Sequence, residues 1–253
     1  MGKVAFITGA GSGMGRLAAQ RLAQAGVLVA AVDVNADGLA ETARADAARI
    51  KTWTLDVTDH AAVIRVVDEV EKTLGPIDRV LNAAAIMPTS LLLQQDVATM
   101  HRCMSVNYGG TVNVTMVILP RMLERGHGDL INFSSMAGWI PLPHFGAYNA
   151  SKFAVVAFTE VLANENRNRG VRFACVCPPP VATPLLDQAR SAPRILKMAK
   201  PITPESVLDS IERDLDAGEL MVFPTAQAKQ VVRARRFIPQ VLWGRLRKLE
   251  RLA

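Results

Sequence analysis

The amino-acid sequence predicts an α/β fold: a doubly wound, mostly parallel sheet of seven strands with helices on both faces, in a single domain. Three observations predict it. Short apolar runs rich in Val, Ile and Ala alternate with longer stretches of helical period, the pattern of repeated strand–helix–strand units. The runs are almost continuously apolar, as strands buried on both faces are. With 253 residues, 50% of them hydrophobic, the chain can close one large core.

The elements follow in order. Val4–Thr8 is the first apolar run, and a glycine-rich stretch after it opens a helix near Gly13–Ala25. Val27–Val32 is the second run, closed by Asp33, with a helix near Ala36–Ala47 behind it. Ile50–Leu55 leads to a helix near Asp59–Leu74, and Arg79–Asn82 to the longest helical stretch, Thr99–Arg125. Gly128–Phe133 is followed by a loop and a helix at Ala147–Arg169. Val171–Val176 is the sixth strand, after which Pro178-Pro179-Pro180 breaks regular structure. Thr183 to Lys200 is the least regular insertion. A helix near Pro204–Ala217 and a last strand, Leu220–Phe223, complete the body, residues 1–224. Residues 225–253 form a basic, amphipathic C-terminal extension.

Composition excludes several classes. The three cysteines, Cys103, Cys175 and Cys177, are too few and too irregularly spaced for a disulfide scaffold or a zinc site. His60, His101, His127 and His144 have no partner at metal-ligand spacing, and no metal is expected. Strand sequence begins at Lys3 and no apolar run is long enough to cross a bilayer, so a cytoplasmic protein is expected. The net charge of +6 is local. Between Thr225 and Ala253 lie Lys229, Arg233, Arg235, Arg236, Arg245, Arg247, Lys248 and Arg251 against the single acid Glu250. The body is close to neutral and the tail is basic.

The turn Thr8-Gly9-Ala10-Gly11-Ser12-Gly13-Met14-Gly15 joins the first strand to the first helix. Glycines there let a dinucleotide pyrophosphate approach the backbone and the helix N-terminal N–H groups. Asp33, eighteen residues after Gly15, is placed to accept hydrogen bonds from the adenosine ribose and to repel a 2′-phosphate. With no Lys or Arg inside the turn, NAD is expected rather than NADP; Asp33 also reads as a strand-end turn residue.

Tyr148 and Lys152 stand four residues apart, one helical turn on a shared face, with Ser135 thirteen residues upstream of Tyr148. An ammonium beside a phenol lowers its pKa and makes it a usable base. In that reading Tyr148 takes the proton of an alcohol, Lys152 serves the phenol and Ser135 hydrogen-bonds the substrate oxygen. Ser135 also reads as a turn serine beside Ser134.

These residues in this order resemble the short-chain dehydrogenase/reductase family, from Lys3 to about Phe223, and the resemblance implies a Rossmann-type domain. It implies cofactor contacts from Gly9, Ser12, Gly13, Met14 and Gly15, from Asp56 and Val57, and from Asn82, Ala83 and Ala84 of the strand-end motif Asn82-Ala83-Ala84-Ala85. Pro178, Val181 and Thr183 would follow on the nicotinamide side, with Tyr148 and Lys152 holding the ribose. Asn107, Ser135, Tyr148 and Lys152 match the family's catalytic four, and Asn107 would hold a water linking Lys152 to solvent; it reads equally as a helix-capping or helix-distorting Asn. Thr183 reads also as a helix N-cap. The chain departs from the family at Ala85 and Pro179, each in place of a glycine.

Residues expected to face the substrate are apolar: Met87, Met136, Trp139, Leu142, Phe145, Leu185 and Leu186, with Pro88, Val181 and Met198 beside them. Such a lining suits a bulky lipophilic secondary alcohol or ketone, hydroxysteroid-like or retinoid-like. Ile238, Val241, Leu242, Leu246, Leu249 and Leu252 recur at helical steps in the tail, interrupted near Pro239. This predicts a peripheral membrane contact, a subunit contact or a cover over the active site. Nucleic-acid binding is not expected, because no aromatic stacking set accompanies the charge. The resemblance implies a homodimer or homotetramer. The alternatives are a ketoreductase for a β-ketoacyl carrier or coenzyme-A thioester, and a non-catalytic dinucleotide-sensing protein.

Overall fold

The computed structural model describes residues 3–189 and 193–250; Arg251 and Leu252 of the tail pattern lie outside them. All seven strands are parallel, in the order β3-β2-β1-β4-β5-β6-β7. They are β1 Val4–Thr8, β2 Leu28–Asp33, β3 Ile50–Thr54, β4 Arg79–Asn82, β5 Gly128–Phe133, β6 Val171–Val176 and β7 Met221–Val222. The order reverses between β1 and β4, and the cleft of a doubly wound sheet opens at the carboxyl ends of those strands.

Side-chain alternation divides the core. Along β1, Ala5 and Ile7 join one apolar cluster and Val4 and Phe6 the other. The first cluster is covered by α1 (Gly13–Gln24) through Ala18, Ala19 and Ala23 and by α9 (Pro204–Asp216) through Val207, Leu208 and Ile211. The second is covered by α3 (His60–Leu74) through Val63, Val67 and Val70 and by α5 (Gly110–Arg125) through Val114, Ile118 and Met122. Helices α2 (Ala36–Ala43) and α6 (Gly146–Glu165) complete the two layers. Asn35, Asp59 and Thr203 cap α2, α3 and α9 by accepting backbone N–H bonds.

A buried polar ladder runs under the cleft. Asn82 Nδ2 donates to Thr115 Oγ1 at 3.1 Å and to Asn132 Oδ1 at 2.9 Å, and Asn132 Nδ2 donates to Thr159 Oγ1 at 3.0 Å. It joins β4, β5, α5 and α6. At the other end of the sheet Arg79 and Arg172 flank Asp129 across adjacent strands, each at 2.7 Å.

Three regions differ from the sequence expectation. The single helix expected at Thr99–Arg125 is α4 (Val97–Met104) and α5, joined by a π-turn at Ser105–Gly109 that contains Asn107. One extra residue in a turn leaves the apolar period almost intact, so the pattern does not reveal it. The irregular insertion holds two short helices, α7 (Pro184–Asp187) and α8 (Arg194–Met198). The tail is two helices, α10 (Ala226–Phe237) and α11 (Pro239–Glu250), breaking at Ile238 so that Pro239 opens the second one.

Candidate active site

The cleft holds a cavity of about 410 Å³. Its first half is built on the β1–α1 turn. Gly9 has φ +68°, and a Cβ there would lie 2.8 Å from Ala84 N, so only glycine fits between the turn and the end of β4. Thr8 Oγ1 accepts from Ala83 N and Ala84 N, both at 3.1 Å, and holds the two strand ends together. Helix α1 begins at this turn with no acidic residue in its first turn and no side-chain cap on Ser12. Its free N–H groups and dipole therefore favour an anion. Asp33 lines the same half; Oδ2 accepts from Gly11 N and Oδ1 from Asn35 N, both at 2.9 Å. Arg16 follows the turn but faces away, bonded to the Gly11 carbonyl and, at 2.9 Å, to Glu41. The glycine cradle, the anion-favouring helix end and the carboxylate at the end of β2 fit a nicotinamide dinucleotide.

The second half is held by α6. Asn149 Nδ2 donates to Ala137 O at 2.6 Å and Ile140 O at 3.1 Å, and Oδ1 accepts from Leu142 N at 3.1 Å. These bonds clamp the loop carrying Ser135 onto the helix carrying Tyr148. Gly138 lets the two approach, since a Cβ there would lie 2.6 Å from Lys152 O. Ser135 is extended, its hydroxyl accepts from Ala137 N at 3.1 Å, and it lies close enough to Tyr148 to favour the phenolate. Tyr148 and Lys152 are 5% and 2% exposed, and Lys152 Nζ lies 5.7 Å from the phenol ring centroid.

The electrostatics of this pair depart from the sequence reading. Lys152 Nζ donates to Phe133 O at 2.7 Å. Burial pushes its ammonium down to about 8, and burial raises the Tyr148 phenol, with the neighbouring Ser135 hydroxyl opposing it. In the protein alone desolvation outweighs any help from the lysine, and both groups are driven toward their neutral forms.

The family model for short-chain dehydrogenases matches residues 3–194. The chain belongs to the short-chain dehydrogenase family. SadH of Mycobacterium tuberculosis is 38% identical over 196 residues, covering 76% of this chain and 71% of that protein. D-threitol dehydrogenase of Mycolicibacterium smegmatis is 36% identical over 196 residues, covering 76% and 75%. A short-chain dehydrogenase/reductase from Burkholderia phymatum, solved in complex with NAD, superposes with a TM-score of 0.86 at 28% identity, covering 95% of each chain. The chain is thus an oxidoreductase of this family, with a groove suited to a nicotinamide dinucleotide.

Most residues that the family resemblance pointed to meet on this one cavity. Gly9, Ser12, Gly13, Met14, Gly15, Asp33, Asp56, Val57, Ala83, Ala84, Pro178, Val181 and Thr183 line it with Ser135, Tyr148 and Lys152. Thr183 sits at the N-cap position of α7, but its side chain does not cap the helix and lies against the glycine turn. Ala85 has no positive φ, so its methyl is accommodated without strain. Met87, Met136, Leu142, Phe145, Leu185 and Leu186 line the apolar part.

Five residues stand elsewhere; Pro88 lines a separate shallow hollow with Asp187 and Gln188. Asn82 is turned inward to the polar ladder rather than toward the cavity. Asn107 is fully buried; its amide donates to Ile86 O and Ser151 Oγ and its Oδ1 accepts from Ile86 N at 2.8 Å. Its side chain fixes the strand-end loop against α6, and its main-chain carbonyl accepts from Thr111 Oγ1 at 2.9 Å. Trp139 lies off the cavity, its indole donating to Cys177 Sγ at 3.2 Å and packing on Phe223, because the short helical turn at Met136–Gly138 rotates it away. Met198 is 73% exposed. Sequence reasoning missed Ile86, Arg102, Val106, Gln188 and Leu196 on the wall. Ile86 and Val106 adjoin motif residues and could have been found by that adjacency; Arg102, Gln188 and Leu196 carry no such signal. Among the described residues no cluster of His, Cys, Asp and Glu could hold a metal.

Proposed function

We propose that the protein is an NAD-dependent oxidoreductase interconverting a secondary alcohol and a ketone on a bulky lipophilic substrate, with Tyr148 as general base and acid. One observation carries this reading: Ser135, Tyr148 and Lys152 share a single cavity with the glycine turn and Asp33. A bound nicotinamide dinucleotide supplies the hydride acceptor or donor. Gly9, Gly13 and Gly15 would cradle its pyrophosphate, Asp33 its adenosine ribose, and Lys152 and Thr183 its nicotinamide half.

The chain's own groups handle the proton. Ser135, its hydroxyl oriented by Ala137 N–H, holds the substrate oxygen. Tyr148 takes the hydroxyl proton during oxidation and returns it during reduction. A positive charge entering the cavity beside the phenol favours the phenolate, opposing the burial that holds it neutral in the protein alone.

Met87, Leu142, Phe145, Leu185 and Leu186 support a hydroxysteroid-like or retinoid-like substrate with one oriented oxygen. A polyol such as threitol needs several hydrogen-bonding partners, and this lobe offers few beyond Gln188 and Arg102. A second reading has one observation behind it: the 3-oxoacyl-carrier reductase FabG of Thermotoga maritima is 33% identical over 190 residues. The Asp33 carboxylate opposes the 2′-phosphate of NADPH on which that reading leans. A cytoplasmic homodimer or homotetramer completes the proposal.

The test is a panel of hydroxysteroids, retinol and short alcohols with NAD or NADP, following the reduced cofactor. Tyr148→Phe is expected to lose turnover roughly a hundred- to ten-thousand-fold while still binding dinucleotide. Full activity in that variant would sink the mechanism. Asp33→Ser should shift the NAD:NADP ratio of kcat/KM toward NADP by about tenfold or more.

A further inference from the structure

We propose that the elbow between α10 and α11 is a docking surface for an anionic lipid bilayer. The inner side of the tail is already occupied. Leu246 is 3% exposed, α11 packs on α8, and Glu250 Oε2 accepts from Arg194 N at 2.8 Å. Arg235 lies over the Phe153 ring, 5.4 Å from its centroid, and pins α10 to α6.

The outer side is uncovered. Phe237, Ile238 and Val241 are 79%, 50% and 50% exposed and adjoin one another at the elbow. On α10, Lys229, Arg233, Arg236 and Phe237 share one face at three- and four-residue steps. On α11, Val241, Arg245 and Lys248 do the same, about a quarter turn from the half-buried Leu242 and Leu249. None of these cations has an ion pair or hydrogen bond among the described residues. The chain's arginines elsewhere are commonly paired, as at Asp129, Glu71 and Asp209.

An apolar tip ringed by unpaired cations is complementary to a surface with negative headgroups above an apolar boundary. A second copy docking tail to tail would bring the same positive charge and be repelled. The tail is also tied to the cleft, because α11 braces α8 and Leu196 of α8 lines the cavity. Docking would therefore hold the substrate lobe close to the bilayer, where lipophilic molecules reside; this last consequence rests on the proposed lipophilic substrate, whereas the docking does not.

The experiment sediments the full-length protein, without cofactor or substrate, with vesicles of phosphatidylcholine alone or mixed with phosphatidylglycerol. Retention is expected on the mixed vesicles only, and its loss at high salt. Arg233→Gln with Arg236→Gln should weaken the partition about fivefold per residue, and Phe237→Ser with Ile238→Ser should weaken it on mixed vesicles too. All four positions are exposed, and an unchanged near-UV CD spectrum checks that the variants stay folded. Equal retention on both vesicle types, no retention, or unaltered binding by both double variants would overturn the proposal. So would concentration-dependent self-association that the elbow variants abolish, which would assign the surface to a second copy. A failed substrate panel would leave a positive vesicle result standing.

Discussion

Lys152 shows how a residue of the proposed active site can oppose folding. Its ammonium is buried, bonded to Phe133 O and pushed down to about 8. The unfolded chain holds that proton until about pH 10.4. A lysine whose folded pKa is depressed lowers stability below the folded value, and the penalty disappears as pH rises through the window to the unfolded one. Lys152→Met should therefore raise the Tm of the cofactor-free protein at pH 7, with the gap closing from pH 8 to about 10; a pH-independent gap would refute the burial argument. The loss of activity expected in the same variant would make it a stability–function trade. Spacing, read together with the glycine turn and Asp33, picked out Ser135, Tyr148 and Lys152, which meet on one cavity. It did not make Trp139 legible, because a single turn after Ser135 decides which way that indole points. Leu142→Ala should raise substrate KM severalfold, and Trp139→Phe should leave it unchanged.

The strands were readable as elements because a strand buried on both faces is apolar almost throughout, as the central β1 and β2 are, whereas the edge strand β3, Ile-Lys-Thr-Trp-Thr, is mostly exposed. The π-turn, the short α7 and α8, and α10 were not readable. Helix α10 has little apolar stripe, and its formation rests on the Ala, Gln and Arg of its sequence and the Thr225 cap. One interaction between elements yields its own prediction. Burial would raise the Asp129 carboxyl, but hydrogen bonds and charge from Arg172 and Arg79 outweigh it and hold it below the usual range. A lowered carboxylate contributes stability above its unfolded value near pH 4, and that stability is lost as pH falls through the folded value. Asp129→Asn should cost about 2 kcal/mol at neutral pH, less than a fully buried pair because Arg172 reaches solvent. Denaturant melts should show the difference narrowing below about pH 4.

At the scale of the molecule, the matched family region ends at residue 194, and α9, α10 and α11 follow. Helix α11 closes back on α8 and so couples the tail to the cavity wall. Leu246→Ala should loosen that brace and raise substrate KM severalfold while dinucleotide affinity, set at the far glycine turn, stays unchanged in a titration. The amphipathic period of the tail was visible in sequence, but its inner partner was not, since nothing in the residues after Thr225 says which distant segment Leu246 meets. The polar ladder beneath the cleft has a consequence for assembly. Asn82 reaches Asn132 only when β4 and β5 pair with those residues side by side. A slip of one residue would turn the amides to opposite faces and strand Thr115 and Thr159 with them. Mispaired sheets are penalised when α5 and α6 dock, so the ladder proofreads the register that sets the strand ends lining the cavity.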